Sequence, residues 1–439
     1  MYSKKILEAI NKEDVKIGGR LHIVKGGTEY EGILMPRPES GDHEILIIKQ
    51  DDGYNIGLRY SGEKISKLPS MERKTAPNKP KHATASGLPR VTLLYTGGTI
   101  GSKVDYLTGG VKVLTTPEEL IGEVPELGDI AEVHVVDLMH TFSEDITHFE
   151  WGAIAEAIEN AFSFGSRGVV VAMGTDTMHY TSAAISFMLQ DPPGPVVITG
   201  AQRSSDRGSS DAFTNLACAV ALAAEGKPIG VGTCMHAGSS DETCVFIKGT
   251  RSRKMHTSRR DAFRPINSLP AATINVLTKE ITYSALPPQD THHISAKTGF
   301  ESKTALVKVH PNADPKILDY YTDDGYKGII IEGTGLGHVP VFTQHEEYSW
   351  AEAIRKAVKK GVLVGMTSQC INGRVNKNVY STARTLASLG VIYCEDMMPE
   401  VAYIKLGWLL GNYGVEDARR LLNKNMVGEI SNRITYTED

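Results

Sequence analysis

With 439 residues, the chain is too long for one compact core, and about two or three domains are expected, each burying its own apolar interior. Apolar residues make up 41% and charged residues 23%, an ordinary globular balance that excludes disorder as the dominant state. The formal net charge of −5 excludes a globally basic nucleic-acid coat, so any RNA contact has to be local.

The amino terminus alternates charged with apolar residues, and no segment reaches the roughly 18 consecutive apolar residues a membrane helix needs. Cys218, Cys234, Cys244, Cys370 and Cys394 contain no C-x-x-C pair, and three of them sit in apolar runs, where a free thiol behaves as a small hydrophobe. A soluble protein of the reducing cytoplasm, without contact to a membrane, is expected.

Residues 1–70 hold short strand-like runs at 21–24, 30–35, 44–49 and 54–58, divided by Gly26-Gly27, the stretch 36–42, and Asp51-Asp52-Gly53. That pattern predicts a small β-barrel of SH3-like size, serving either as a docking module or as a stabilising appendage. Four prolines between 69 and 89 mark residues 71–89 as an exposed linker.

Beyond the linker, strands alternate with helices. Strands are predicted at 91–95, 168–172, 196–199 and 229–235. Thr147-x-x-Glu150 reads as a capping box opening a helix with Trp151, Ile154, Ala155, Ile158 and Phe162 on one face. Further helices are expected at 180–189 and 213–224. This β-α-β order implies a parallel sheet covered on both faces, with its ligand crevice at the carboxyl ends of the strands. A large α/β domain is expected over 90–285 and a smaller one over 286–439, joined by a hinge around 269–303. In the smaller domain, strands are expected at 328–331 and 362–366. Its helices are one opened by Ser349-x-x-Glu352 and others around 382–389, 400–410 and 416–422.

Two threonine-bearing runs fall at predicted strand ends. Thr99 lies among Gly97, Gly98 and Gly101, where backbone amides and a hydroxyl face the crevice together; a Gly-rich turn that only caps the next element is the plainer alternative. Thr175 and Asp176 set a hydroxyl beside a carboxylate, although an Asp there also serves as a helix cap. Lys254, enclosed by neighbouring cations, is expected to have a lowered pKa and to take a hydroxyl proton; the alternative is a solvated basic loop.

Thr96-Gly97-Gly98-Thr99-Ile100-Gly101, Ser143-Glu144-Asp145, Gly174-Thr175-Asp176-Thr177 and Lys254 together resemble, in order and spacing, the L-asparaginase/glutaminase family over residues 90 to the carboxyl terminus. The resemblance implies an α/β fold, an asparaginase-like two-domain parallel-sheet core, in which a threonine attacks a side-chain amide. It implies Thr99 as nucleophile and Thr175, Asp176 and Lys254 as the group that activates a hydroxyl. Ser143 and Asp176 would hold the substrate's α-carboxylate and α-amino groups. Gly98, Glu144 and Gly174 would complete the cradle, and Tyr106 stands where the family keeps a mobile tyrosine. Which threonine attacks first stays open, as does the residue contributed across a dimer.

The barrel and linker, with Thr250-Arg251-Ser252-Arg253-Lys254-Met255-His256 and Phe263-Arg264-Pro265-Ile266-Asn267-Ser268, resemble the glutaminase subunits of archaeal-type tRNA-dependent amidotransferases. That implies glutamine as substrate and a partner E subunit that uses ATP and magnesium to turn Glu-tRNA(Gln) into Gln-tRNA(Gln). It also implies a homodimeric core within a heterotetramer. In keeping with ATP being handled elsewhere, the sequence has no G-x-x-x-x-G-K-[ST] loop; Gly333 to Gly337 reads as a tight turn. His134, His140 and His148 lack metal-ligand spacing and His292-His293 falls in a polar connector, so no metal is expected. Arg251, Arg253, Arg259 and Arg260 form the densest basic cluster, suited either to phosphate contacts or to solvent-facing charge, and tRNA contact is assigned mainly to the partner. Two rival readings are a free-standing L-asparaginase and a non-catalytic scaffold for assembly or RNA docking.

Overall fold

The computed structural model describes residues 2–36, 42–50, 55–69, 87–98, 102–104, 111–113, 124, 126–203, 210–227, 229–284 and 294–434. The chain opens with helix α1 (Lys4–Lys12), capped by Ser3, whose hydroxyl accepts from the Ile6 amide. Ile6 and Ile10, one turn apart, are its buried face, each burial stabilising by about 1.5–3 kcal/mol. The helix covers an antiparallel sheet of β1 (Arg20–Lys25), β2 (Thr28–Leu34), β3 (Ile45–Lys49), β4 (Asn55–Arg59) and β5 (Ile65–Lys67). The strand order is β4-β3-β2-β1-β5, and Leu21, Ile23, Leu34, Leu46, Ile48 and Leu58 make a core of its own.

The central sheet has eight strands in the order β17-β16-β13-β12-β11-β10-β6-β9. Its members begin with β6 (Arg90–Tyr95). A separate two-stranded ladder follows, β7 (Ser102–Val104) with β8 (Val111–Val113). Next come the short α2 (Leu127–Ile130), β9 (Glu132–Asp137), α3 (His148–Ser163), β10 (Gly168–Ala172), α4 (Met178–Leu189), β11 (Val196–Thr199), α5 (Ala212–Glu225), β12 (Val231–His236) and β13 (Thr243–Lys248). A separate small ladder joins β14 (Ser252–Lys254) to β15 (Phe263–Pro265); β16 (Ala272–Asn275) and β17 (Ile281–Tyr283) then complete the large sheet. Strands β9, β6, β10, β11 and β12 run parallel. Helices α3 and α4 lie on one face, α2 and α5 on the other. This accounts for strands such as Gly168–Ala172 being buried at every position. The Thr147–Glu150 capping box forms as expected, with both reciprocal bonds present.

From β12 onward the pairing becomes antiparallel, so the sheet is mixed rather than purely parallel. The expected hinge at 269–303 is corrected accordingly: residues 272–283 carry β16, paired on both sides, and the edge strand β17. Their alternating burial, as in Ala272–Asn275, is the mark of strands with one covered face.

The last sheet is parallel throughout, in the order β18-β19-β20-β21. It is built from β18 (Thr304–Lys308), α6 (Lys316–Asp323), β19 (Gly328–Gly333), α7 (Trp350–Lys359), β20 (Leu363–Ser368), α8 (Ser381–Ser388), β21 (Ile392–Tyr393) and α9 (Pro399–Leu421). The two helices expected at 400–410 and 416–422 form one run bent at Gly414, whose φ of 77° is not helical. Ser349 begins α7 without capping it; its hydroxyl donates to the Val341 carbonyl at 3.0 Å instead. Helix α4 has almost no polar face because it lies between the central sheet and α9, where Phe187 stacks on Trp408 with ring centroids 5.7 Å apart. One continuous core therefore runs from the central sheet through α4 and α9 into the last sheet.

Candidate active site

Two neighbouring strand ends form the floor. The Thr96 amide and hydroxyl both donate to the Ala172 carbonyl, at 3.0 and 3.1 Å, tying the end of β6 to the end of β10. Gly97 and Gly98 then turn with φ of 100° and 84°, a region where side chains are strained. A Cβ on Gly98 would stand 2.2 Å from the Gly174 amide nitrogen, so only glycine lets the two turns touch. Thr99 and Tyr106 lie outside the described residues.

Ser143, in a helical turn over Ser143–Asp145, is buried against the second turn. Its hydroxyl accepts from the Asp176 amide at 3.2 Å, and its carbonyl accepts from the Thr177 hydroxyl. Lys254 arrives from β14 across the crevice. Its ammonium donates to Thr175 Oγ1 at 2.8 Å and to Asp176 Oδ1 at 2.6 Å. The lysine side chain is 9% exposed and the Asp176 side chain 66%, so the trio has a closed end at the base and an open end at the carboxylate. A lysine in that position is not the solvated loop residue that the sequence left open.

Gly98, Ser143, Glu144, Gly174, Thr175, Asp176 and Lys254 all line one cavity of about 240 Å³, large enough for an amino-acid side-chain amide. Phe142, Gln202 and Thr257 also line it, and the sequence reading missed all three. Gln202 follows β11 at its carboxyl end, so the strand-end rule that picked out the two threonine turns reaches it as well. Its backbone amide is held by the Asp211 carboxylate at 3.1 Å, while its side-chain Nε2 is buried without a hydrogen-bond partner. A larger groove of about 700 Å³ along β9 and α3 is lined by His134 but by none of the residues expected to act on or hold a substrate.

Behind the cavity sits His179, in the first turn of α4. Burial, then the nearby Arg253 and Lys254 cations, push its imidazole down to about 4, so it stays uncharged beside them at neutral pH.

The four arginines of the basic cluster are all matched by carboxylates. Arg251 pairs with Asp396, Arg253 with Glu400, Arg259 with Asp261 and Arg260 with Asp241. Arg251 is moreover buried. This corrects both sequence alternatives for Arg251, since it presents its charge neither to phosphate nor to water. The run Thr334 to His338 is a tight turn closed by reciprocal backbone bonds, and no helix follows it to receive a dinucleotide phosphate.

The arrangement of hydroxyl, carboxylate and ammonium at the ends of parallel strands falls in a class of fold that is asparaginase-like. Residues 90–287 match the asparaginase N-terminal family and 303–422 the glutaminase/asparaginase C-terminal domain. The thermostable L-asparaginase from Thermococcus kodakarensis superposes with a TM-score of 0.69 at 28% identity, covering 78% of this chain and 100% of that one. L-asparaginase I from Vibrio cholerae does so at 0.67 and 27% identity, covering 78% and 99%. Residues 15–68 match the GatD N-terminal domain. The D subunit of glutamyl-tRNA(Gln) amidotransferase from Methanopyrus kandleri is 44% identical over 98% of this chain and 94% of its own length. The protein of the same name from Pyrococcus abyssi is 45% identical, covering 97% of each chain. This chain belongs to the family of glutamyl-tRNA(Gln) amidotransferase D subunits, and is accordingly one component of a larger amidotransferase. Among the described residues, no helix is long and apolar enough to cross a membrane.

Proposed function

We propose that this chain hydrolyses glutamine and passes the ammonia to a partner. The observation that carries the proposal is Lys254, bonded at once to Thr175 Oγ1 and Asp176 Oδ1 in the cavity that Gly98 lines. An ammonium in that contact donates to the hydroxyl; once deprotonated, the amine is the base that removes its proton. Thr99, next in the chain after Gly98, is the proposed nucleophile.

In the proposed cycle the threonine oxygen attacks the carboxamide carbon, the hydroxyl's proton is passed to the departing nitrogen as the C–N bond breaks, ammonia leaves, and a threonyl ester remains. Water activated by the Thr175–Asp176–Lys254 trio then cleaves the ester and frees glutamate. Ser143 and Asp176 hold the substrate's α-carboxylate and α-ammonium groups, with Glu144 and the Gly174 turn beside them. The open, two-thirds-exposed Asp176 side chain suits an ammonium that must enter and leave.

The partner in this reading is an E-type subunit that binds Glu-tRNA(Gln), ATP and magnesium and amidates the activated glutamate. This chain forms a homodimeric core in a heterotetramer and works in the cytoplasm. Full-length agreement with amidotransferase subunits, the amino-terminal sheet included, favours this over a free-standing asparaginase.

The deciding measurement is ammonia release from glutamine and from asparagine, with and without the partner and Glu-tRNA(Gln). Glutamine turnover should rise when both are added. Brisk turnover of asparagine by the chain alone, indifferent to tRNA, would point to the asparaginase reading. A Thr99→Ala variant that kept its ammonia release would remove the proposed nucleophile altogether.

A further inference from the structure

Strand β14 is three residues long, yet each side chain from Arg251 to Lys254 is held in place. Successive side chains of a strand point to opposite faces, and here the two faces engage different halves of the protein. On one face, Ser252 Oγ lies 2.7 Å from Thr233 Oγ1 of the central sheet, and Lys254 reaches Thr175 and Asp176. On the other, Arg251 and Arg253 extend into the carboxyl-terminal half.

Arg251 donates to Asp396 Oδ2 at 3.0 Å, to the Gly428 carbonyl at 3.0 Å and to Ser431 Oγ at 2.8 Å. Arg253 Nη1 donates to both carboxylate oxygens of Glu400, at 2.6 and 2.8 Å. Glu400 lies in the first turn of α9 and Asp396 just before it. Helix α9 also carries α4 through the Phe187–Trp408 stack, and α4 begins directly after Thr175 and Asp176. Both sides of the Lys254 contact therefore rest on the same helix.

A stability role alone does not account for these pairs. Glu400 is 3% exposed and Asp396 2%, and burial holds the Glu400 carboxyl above its ordinary value. Taking such charges out of water costs about as much as their attraction returns, and apolar side chains of equal volume would stabilise as well. What apolar contacts lack is direction. Hydrogen bonds from three nitrogens of Arg251, and from Arg253 Nη1 held between the two Glu400 oxygens, fix the strand's position and rotation, and a displacement of about 1 Å is enough to cost a reaction about a hundredfold.

We infer that Arg253 and Glu400, backed by Arg251 and Asp396, are positioning residues that hold β14 so that Lys254 reaches Thr175 and Asp176. The inference rests on the proposed role of Lys254. It makes the start of α9 the point through which the carboxyl-terminal half sets the efficiency of the site.

The test is steady-state glutamine hydrolysis by the full-length chain carrying Glu400→Gln, Arg253→Lys, Lys254→Met or Leu409→Ala, with each unfolding midpoint recorded. Leu409 is buried on α9, roughly two and a half turns beyond Glu400, so its truncation controls for instability. Glu400→Gln is expected to lower kcat by about 10- to 100-fold with KM within about twofold. Arg253→Lys, which keeps the charge on a differently shaped side chain, should fall between it and wild type, and Leu409→Ala should keep its kcat. If Glu400→Gln does not fold, Arg253→Lys carries the test. Wild-type kcat in both pair variants, with Lys254→Met inactive, would overturn the positioning role and leave the proposed function standing. A kcat loss in Leu409→Ala equal to that of the pair variants would also overturn it, since destabilisation would then explain everything. An active Lys254→Met would instead overturn the proposed function, and the positioning role with it.

Discussion

The central sheet and the carboxyl-terminal sheet are both parallel at their cores, and both end strands in glycine-rich turns, but they use those turns differently. After β6, Gly98 is pressed against Gly174 of the neighbouring turn and the hydroxyl, carboxylate and amine converge there. After β19, Gly335 also has a positive φ, yet a Cβ on it would meet nothing within 4 Å. The rule that ligand crevices open at the carboxyl ends of parallel strands applies to both sheets; the chemistry follows only where facing turns bring complementary groups into contact. The second sheet contributes instead through α9, which supports α4 and β14.

The sharpest way to break this comparison is Lys254→Met. On the proposed mechanism nucleophile and base act as one unit, so it should lower glutamine hydrolysis by about 10³-fold or more, and ammonia release reads it directly. An unchanged rate would mean that the meeting of the two turns has no chemical purpose.

Matched glycine substitutions come next. Gly98→Ala puts a methyl group 2.2 Å from a backbone nitrogen that no rotamer change can relieve. A stability loss of about 3–5 kcal/mol is expected, together with a hundredfold or larger loss of activity. Gly335→Ala should cost about 1 kcal/mol for its backbone conformation alone and leave activity unchanged. Thermal unfolding and ammonia assays on the pair test whether close approach, rather than glycine itself, separates the turns.

His179 gives a pH signature to the active half. Its folded value of about 4 lies below the ordinary imidazole value near 6.5, so the unfolded chain binds the extra proton between those two pH values. Stability should be fully present above about pH 6.5, decline as pH falls towards 4, and level off below that. The loss attributable to this group is about 1–3 kcal/mol. Denaturant unfolding of His179→Asn, compared with wild type across pH 4 to 7, should show a flatter slope in that window; identical slopes would remove His179 as the cause.

The smallest contrast lies in two similar helix starts. Thr147 and Glu150 form a true capping box, and Glu150→Ala should cost about 0.5–1 kcal/mol. In α7, Glu352 pairs with exposed Arg355 instead, and Glu352→Ala should change stability by no more than about 0.3 kcal/mol. Equal costs would show that the sequence motif, not the bond, decides.

Much of the central architecture is legible in the sequence because buried parallel strands such as Gly168–Ala172 are apolar at every position. The Thr147 box is legible too, because its bonds close within four residues. Helix α1 is not, although Ser3 caps it and Ile6 and Ile10 are spaced one turn apart; the charges of Lys4, Lys5, Glu8 and Lys12 obscure that short signal. The last two strands of the large sheet, β16 and β17, read as a hinge, since a strand with one wet face carries half the apolar signal. Gln202 escapes notice because an amide at a strand end has no pattern of its own.

Local order, turn chemistry and the candidates Thr175, Asp176 and Lys254 could be read from the residues themselves, because glycines, hydroxyls and strand runs report on their immediate neighbours; Ser143 came only from the family resemblance. Only the folded chain decided that Lys254 crosses 78 residues of sequence to reach Asp176, and that Arg251 and Arg253 turn away from solvent towards Asp396 and Glu400. Those outcomes depend on which carboxylates another part of the chain brings within hydrogen-bond range, and charge in a sequence does not say where its partner will be.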